Sequence, residues 1–387
     1  MPNTLLLCVD NRNTYLRRLL LRNCSLQKAI VLNISRIIFL SLILTIGFMP
    51  SKLEAQDPHF SQFYTAPLVF NPALAGTYEG TFRASAIYRD QWTSALADPL
   101  STMMVTGDVS FDIASKTKKV PDKFAAGISF YSDRVSTFDL NTNQISLYGA
   151  YHKVLDERTR QYISGGIQVG MIQRSINYED LRFGDQFNSI DGYTLATGEI
   201  LPANNLGHFD MGLGINYSRS PKGGTQFYLG AALFHVSGTN ISFYRNDIRV
   251  DDNLVRSNNL NRKITAQAGM SQYISRNMEF QPRVLYMNQG PHSMVNVGSN
   301  FRFRLESTDN TFLHFGPWLR GATNLDGFGV ESLVMALAYE KGNFILGFSY
   351  DHSYDDIITD RTGLNAFEIS LTFIGEHDND SNICPKF

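Results

Sequence analysis

Apolar and polar residues alternate one by one along most of this chain. Phe209, Met211, Leu213, Ile215 and Tyr217 are interleaved with Asp210, Gly212, Gly214, Asn216 and Ser218. Ile264, Ala266, Ala268 and Met270 alternate in the same way with Thr265, Gln267, Gly269 and Ser271. So do Phe344, Leu346, Phe348 and Tyr350 with Gly347, Ser349 and Asp351, and Phe367, Ile369, Leu371 and Phe373 with Glu368, Ser370 and Thr372. A period of two places successive side chains on opposite faces of an extended backbone, so each run predicts a strand. Fourteen runs are present, near 81–89, 102–112, 124–132, 140–152, 162–174, 209–218, 226–236, 262–274, 279–288, 293–304, 311–320, 331–340, 344–351 and 366–374.

The connections between runs decide among all-β architectures. Lys153–Gln161, Ser218–Thr225, Ser275–Met278, Arg304–Asn310 and Glu340–Asn343 are short. Ser175–His208, Ser237–Asn261, Gly321–Val330 and Asp351–Asn365 are long, and Asn288–His292 is a short member of the long set. Short alternating with long fits neither a sandwich nor a propeller. It fits an outer-membrane barrel with brief periplasmic turns and longer outer loops. An even strand number returns both ends of the barrel to one side. In hydrocarbon every backbone N–H and C=O needs a partner within the protein, which forces the strands to close. The expected fold is therefore a closed antiparallel transmembrane β-barrel of about fourteen strands over residues 81–374. Asp108, Asp210, Lys263, Arg283, Arg302, Arg320 and Glu368 fall on the inward face. The alternative for these charges is the wet face of a soluble sheet.

Composition agrees with a membrane barrel. There are 27 Phe and 18 Tyr against 2 Trp, and 30 Gly, which suits strands with aromatic girdles. A net charge of -2 gives no bulk attraction to nucleic acid. Arg17, Arg18, Arg22, Lys28 and Arg36 precede an apolar run from Ile37 to Phe48, followed by Leu53-Glu54-Ala55. That is the layout of a secretory signal, so residues 1–55 are expected to be removed after Ala55, leaving Gln56 first. The long basic lead-in raises the alternative of a start codon downstream of Met1. Removal takes Cys8 and Cys24 and leaves Cys384 without an internal disulfide partner.

Between signal and sheet lies a stretch without periodicity, residues 56–80, that opens QDPHFSQFYTAPLVFNPALAG. Phe60, Phe63, Tyr64 and Phe70 crowd it, and Pro58, Pro67 and Pro72 break it. The step Asn71-Pro72 is expected to be extended or a turn. The stretch precedes the first strand, so its backbone is expected to enter from the periplasmic side as a plug or cap. Its four aromatics would pack into the lumen or across its mouth, since clustered apolar groups usually mark contacts. A plain N-terminal arm is the other reading.

QDPHFSQFY, NPALAG (71–76) and Tyr88-Arg89-Asp90-Gln91-Trp92 resemble the opening of the PorP/SprF family of Bacteroidota. Further matches are SLYGAYHKVL (146–155), GGIQVGMIQRSINYEDLRFGDQF (165–187), FDMGLGINY (209–217), LGFSYD (346–351) and FEISLTF (367–373). The resemblance spans nearly the whole chain after the signal. It implies an outer-membrane barrel of the type IX secretion system that is not an enzyme and serves secretion or surface attachment of large adhesins, gliding motility included. Implied partners are membrane lipid, other components of that system, and the C-terminal domain of a secreted adhesin. Candidate partner-binding or plug residues are Phe60, Phe63, Tyr64, Phe70, Asn71, Pro72, Arg89 and Trp92. The chain departs from the family by its basic leader and by a polar tail, 375–387, so Phe373 rather than Phe387 is the candidate assembly signal. A general diffusion porin and a client-free envelope scaffold remain alternatives.

No catalytic, cofactor or metal residues are expected. Of 8 His, His59, His152, His208, His235, His292 and His314 stand alone, without a second ligand at metal spacing. His292-Ser293 invites comparison with a serine hydrolase, but no acid or amide is placed to orient the base. Asp351, Asp355, Asp356 and Asp360, with His352 and His377 nearby, offer calcium ligands, though not at EF-hand spacing; a solvated outer loop is the simpler reading. Lys116, Lys118, Lys119 and Lys123 crowd a periplasmic turn that is either solvated or met by an acidic partner. Gly165, Gly166 and Gly170 fit bends or close backbone approach.

Overall fold

The computed structural model describes residues 57, 59–92, 99–113, 120–136, 139–179, 181–221, 223–244, 259–306, 310–324, 327–354 and 365–376. The expected signal and cleavage site, Pro58, Lys116, Lys118, Lys119, Asp355, Asp356, Asp360, His377, Cys384 and Phe387 lie outside them.

Among the described residues sixteen strands are formed, fourteen of them in one closed antiparallel barrel. In order these are β1 (Phe82–Gln91), β2 (Leu100–Ile113), β3 (Asp122–Val135), β4 (Leu140–Asp156), β5 (Gln161–Ile176), β8 (Asn205–Arg219) and β9 (Gln226–Phe234). They continue with β10 (Lys263–Ser275), β11 (Met278–Gln289), β12 (His292–Glu306), β13 (Thr311–Asn324), β14 (Gly327–Lys341), β15 (Phe344–Ser353) and β16 (Ala366–Gly375). β6 (Phe187–Asn188) and β7 (Gly192–Tyr193) make a small ribbon in the connection after β5. The ring closes where β1 pairs with β16, Phe82 opposite Gly375 and Gln91 opposite Ala366. Every barrel strand thus pairs with a neighbour on each side, as a hydrocarbon surround demands.

The predicted faces are the observed ones. Along β8, Phe209, Met211, Leu213 and Ile215 point outward and exposed, while His208, Asp210 and Asn216 are buried inward. Asp108, Asp210, Arg320 and Glu368 are all buried inside the barrel. The polar residues are hidden and the apolar ones exposed, the reverse of a soluble protein, so the outer surface is built for lipid.

One connection differs from expectation. Gly321–Val330 reads as a long loop, yet the β13–β14 ladder continues through it as far as Asn324 opposite Gly327. Its glycines resemble loop punctuation, but a register shift at Arg320/Gly321 lets pairing resume beyond them. At the same end, Gln289 and His292 are joined by a tight turn with Gly290 at φ 58. The long connections after β5, β9 and β15 share this end, and β1 starts at the opposite, short-turn end. The long-loop end is the outer one.

Leu213 and Leu371 are 48% and 46% exposed on the lipid face. Leu213→Arg and Leu371→Arg are each expected to cost about 2–4 kcal/mol, the penalty for a cation near mid-bilayer. Denaturant titration in lipid vesicles measures this; wild-type folding energies for both would contradict the assigned faces.

Candidate functional site in the barrel lumen

The segment before β1 runs through the lumen along its length. Its backbone was expected to enter from the periplasmic side; it joins β1 at that end and reaches through to Asp57 at the outer end. There Asp57 accepts from Lys263 Nζ at 2.6 Å and meets His235 Nε2 at 2.8 Å, and its N–H donates to Gln289 Oε1 at 2.8 Å. Opposite charge at the far rim draws the chain there. At the short-turn end, the Gly76 N–H donates to Asp108 Oδ2 at 2.8 Å, and the Tyr78 hydroxyl donates to the Asp108 carbonyl at 2.8 Å. Asp108 is itself held bidentately by Arg83, at 2.9 and 2.8 Å.

Local sequence explains how an aperiodic stretch stays ordered. Pro67–Val69 and Pro72–Leu74 form single 3-10 turns, each with a proline where no N–H is required. Asn71 caps the second turn, its Oδ1 accepting from the Ala73 N–H at 2.9 Å. Its Nδ2 donates to the Ile215 carbonyl at 2.9 Å, pinning the turn to the wall. Gly76, at φ 72, then bends the chain toward β1.

The wall makes room by omitting side chains. A Cβ at Gly166 would lie 2.4 Å from the Ala73 nitrogen, and one at Gly214 would lie 2.1 Å from Asn71 Oδ1. Gly166 and Gly214 face each other across β5 and β8, so they form one track for the Asn71–Ala73 turn. Higher up, a Cβ at Gly347 would meet Gln62 Oε1 at 2.4 Å.

Four buried ionic side chains grip the segment at Ser61 and Gln62. The two backbone N–H groups donate to the two oxygens of Glu368, at 2.6 and 2.9 Å. Ser61 Oγ donates to Asp351 Oδ2 at 2.6 Å and accepts from Arg89 and Arg320 at 3.0 and 2.8 Å. Arg89 also reaches Asp351 at 2.9 Å and Glu368 at 2.5 Å, and Arg320 reaches Asp351 at 2.8 Å. Arg89 is 1% and Glu368 0% exposed, so these charges are tolerated only because each is paired.

Aromatic packing fills the middle. Phe60, Phe63 and Phe70 are buried and Tyr64 nearly so. Phe63 meets the Trp318 ring edge-on at 5.4 Å between centroids, and Tyr64 stacks on it at 5.6 Å. Arg283 sits over the Tyr64 ring, 5.0 Å from its centroid.

Seven of the eight predicted positions thus converge in the lumen: Phe60, Phe63, Tyr64, Phe70, Asn71, Pro72 and Arg89. Trp92 does not. It sits just past β1 at the outer rim, 38% exposed, its N–H on the Asn365 carbonyl. Asp351 moves the other way: grouped by sequence with an outer acidic loop, it is a lumenal partner of two arginines. Among the described residues no cluster suits a metal ion. Of the histidines that stand alone in sequence, His235 bridges Asp57 and Asp210, His314 meets Glu340 at 2.7 Å, and His152 donates from Nε2 to the Ala75 carbonyl with its Nδ1 on Ser164 Oγ. Ser293 bonds Asn288 at 3.0 Å. Asp57, Ser61 and Gln62 had no sequence signal beyond polarity inside an aromatic stretch, and His235 none beyond standing alone.

The family profile described as type IX secretion system membrane protein PorP/SprF matches residues 52–373. The chain belongs to the PorP/SprF family. It is accordingly an outer-membrane barrel of the type IX secretion system. No curated protein matches the chain. Among solved structures, it is similar to the toluene transporter TbuX of Ralstonia pickettii, with 10% identity, TM-score 0.43, and coverage of 81% of this chain and 94% of that one. A Pseudomonas aeruginosa FadL homologue gives 9% identity, TM-score 0.43, and coverage of 78% and 92%. CdiB from Escherichia coli gives 9%, 0.38, and coverage of 75% and 63%.

Two expected outcomes follow for this family member. Gly166→Leu is expected to leave the barrel inserted but expel the Asn71–Ala73 turn, raising single-channel conductance in planar bilayers; an unchanged trace would mean the track does not seat the segment. The second concerns the outer latch. His235 follows β9, outside the strands; burial opposes its charge, but the Asp57 and Asp210 carboxylates outweigh burial and raise its pKa to about 9. A raised pKa contributes stability that is full below the free value of 6.5 and lost as pH climbs through about 9. Hydrogen-exchange protection of residues 59–62, corrected for intrinsic rate, is expected to fall between about pH 7 and pH 10. In His235→Gln that pH dependence is expected to vanish, and its persistence would count against the latch.

Proposed function

We propose that this barrel is a plugged receptor or anchor that supports secretion or surface attachment of large adhesin-type proteins, gliding-motility adhesins among them. The observation that carries the reading is the occupied lumen. From Asp57 to Gly76 the segment is fixed by the outer latch, the Ser61–Gln62 grip, the aromatic layer and the Asn71 cap. A general diffusion porin needs a continuous water path, and a segment fixed at several heights by buried partners opposes one. Family membership supports a role in type IX secretion, with other components of that system, membrane lipid and the C-terminal domain of a secreted adhesin as partners. Export through a signal over residues 1–55, cleaved after Ala55, accords with this location.

Deleting residues 57–70 behind an intact signal is the test. Every strand remains, so the barrel is expected to insert. Conductance is expected to rise, client secretion to be lost, or both. Insertion with unchanged conductance and normal secretion would reduce the segment to an inert arm. A steady large current through the wild-type protein, with secretion indifferent to its deletion, would establish the porin instead.

A further inference from the structure

Beneath the plug, at the short-turn end, lies a cavity of about 740 Å³. Its roof is the plug face formed by Tyr64, Pro67, Phe70 and Leu74, and its rim reaches Gly80 and Glu376. The volume is within the range that encloses a drug-sized ligand.

Its lining is net cationic, with Arg83, Lys123, Arg160, Arg219 and Arg283 against Glu79 and Glu376. Arg83 is matched by Asp108, and Lys123 lies 3.8 Å from Asp112. Arg160, Arg219 and Arg283 line the cavity with no carboxylate in ion-pair range among the described residues, although one arm of Arg283 is held by Gln281 Oε1 at 3.0 Å. Arg219 Nε and Arg283 Nη1 are buried donors without an acceptor. Deeper in, Asn216 and Gln267, 2% and 3% exposed, leave both the oxygen and the nitrogen of their amides unused. Such groups occur elsewhere in the lumen too, but those of Asn216, Arg219, Gln267 and Arg283 border an open cavity, where a ligand can satisfy them.

Each unmet group specifies part of that ligand. A guanidinium fork suits a carboxylate. A carboxamide with a free donor and a free acceptor suits a peptide bond, which offers one of each. The Tyr228 ring suits an apolar side chain between the charges. A phosphate would meet the arginines but leave both amides unmatched. We propose that this vestibule binds a short acidic peptide segment entering from the periplasmic end, its carboxylates on Arg160, Arg219 and Arg283 and its backbone on Asn216 and Gln267. This site lies below the plug and goes beyond the role in secretion.

The full-length barrel in detergent, checked for folding by heat-modifiable gel mobility, is titrated by fluorescence anisotropy. The probes are a labelled hexapeptide with aspartates flanking phenylalanine, the same peptide with asparagines, and inorganic phosphate as competitor. The acidic peptide is expected to bind about tenfold or more tightly than the neutral one, as a charge-assisted bond implies. Arg219→Gln and Arg160→Gln are each expected to weaken it by about tenfold while the barrel stays folded. Equal binding of the two peptides, or affinity indifferent to both substitutions, would overturn the proposal. Displacement by phosphate at matching concentration would overturn it too, in favour of a small-anion site. No secretion partner enters the assay, so its outcome is separate from that of the proposed function.

Discussion

A ring of fourteen strands encloses more space than its own inward side chains fill, since about eight strands already give an interior that side chains just occupy. The rest of this structure follows from how that excess is handled. The wall does not fill it with larger residues. Along the path of the segment it carries glycine, at Gly166, Gly214 and Gly347, and leaves a channel shaped for backbone. The segment supplies the missing bulk as four aromatics, and Trp318 is the wall residue that completes their layer.

Electrostatics makes the filling specific. Arg89, Arg320, Asp351 and Glu368 come from β1, β13, β15 and β16, and in an empty lumen they would pair in water as a loose network. With the segment in place they are dry, and Ser61 and the Ser61–Gln62 amides complete their bonding. A buried ion pair is weak evidence for stability, because desolvation offsets attraction, but a broken one is costly. The arrangement therefore acts as a register device: a segment shifted by one residue would present its N–H groups where Glu368 is not. Aromatic packing alone would not discriminate so sharply.

The wall was legible in the sequence because a membrane barrel leaves the strictest periodic signature available: lipid outside, polar lumen inside, every strand the same. All fourteen runs correspond to barrel strands, and even the inward charges were assignable from period two. The aromatics of the segment were legible too, since four of them in an aperiodic stretch need a surface. Its direction was not. Whether the chain stops at the near mouth or crosses to the far one depends on Asp57 finding Lys263 and His235, three residues with no sequence proximity. Asp351 was misassigned for a related reason: it follows directly on a β15 pattern and precedes an acidic loop, and only the closed ring shows that it faces Arg320. Arg89 and Trp92 share one motif yet part company, because an odd number of positions separates them and the strand ends between.

The direction of the segment also limits how it can move. It is continuous with β1 at the short-turn end, so withdrawal from the lumen runs toward that tether and into the vestibule. The first step breaks the latch at Asp57. The second lifts Ser61 and Gln62 from Glu368, which leaves a carboxylate and two guanidinium groups short of bonds in a lumen that has only just opened. Water can satisfy them once it arrives, but until then the step is uphill. Another extended backbone can satisfy them at once, because any strand carries the N–H donors that Glu368 accepts. The grip on the plug is thus of a kind that a polypeptide is chemically equipped to replace and a small solute is not.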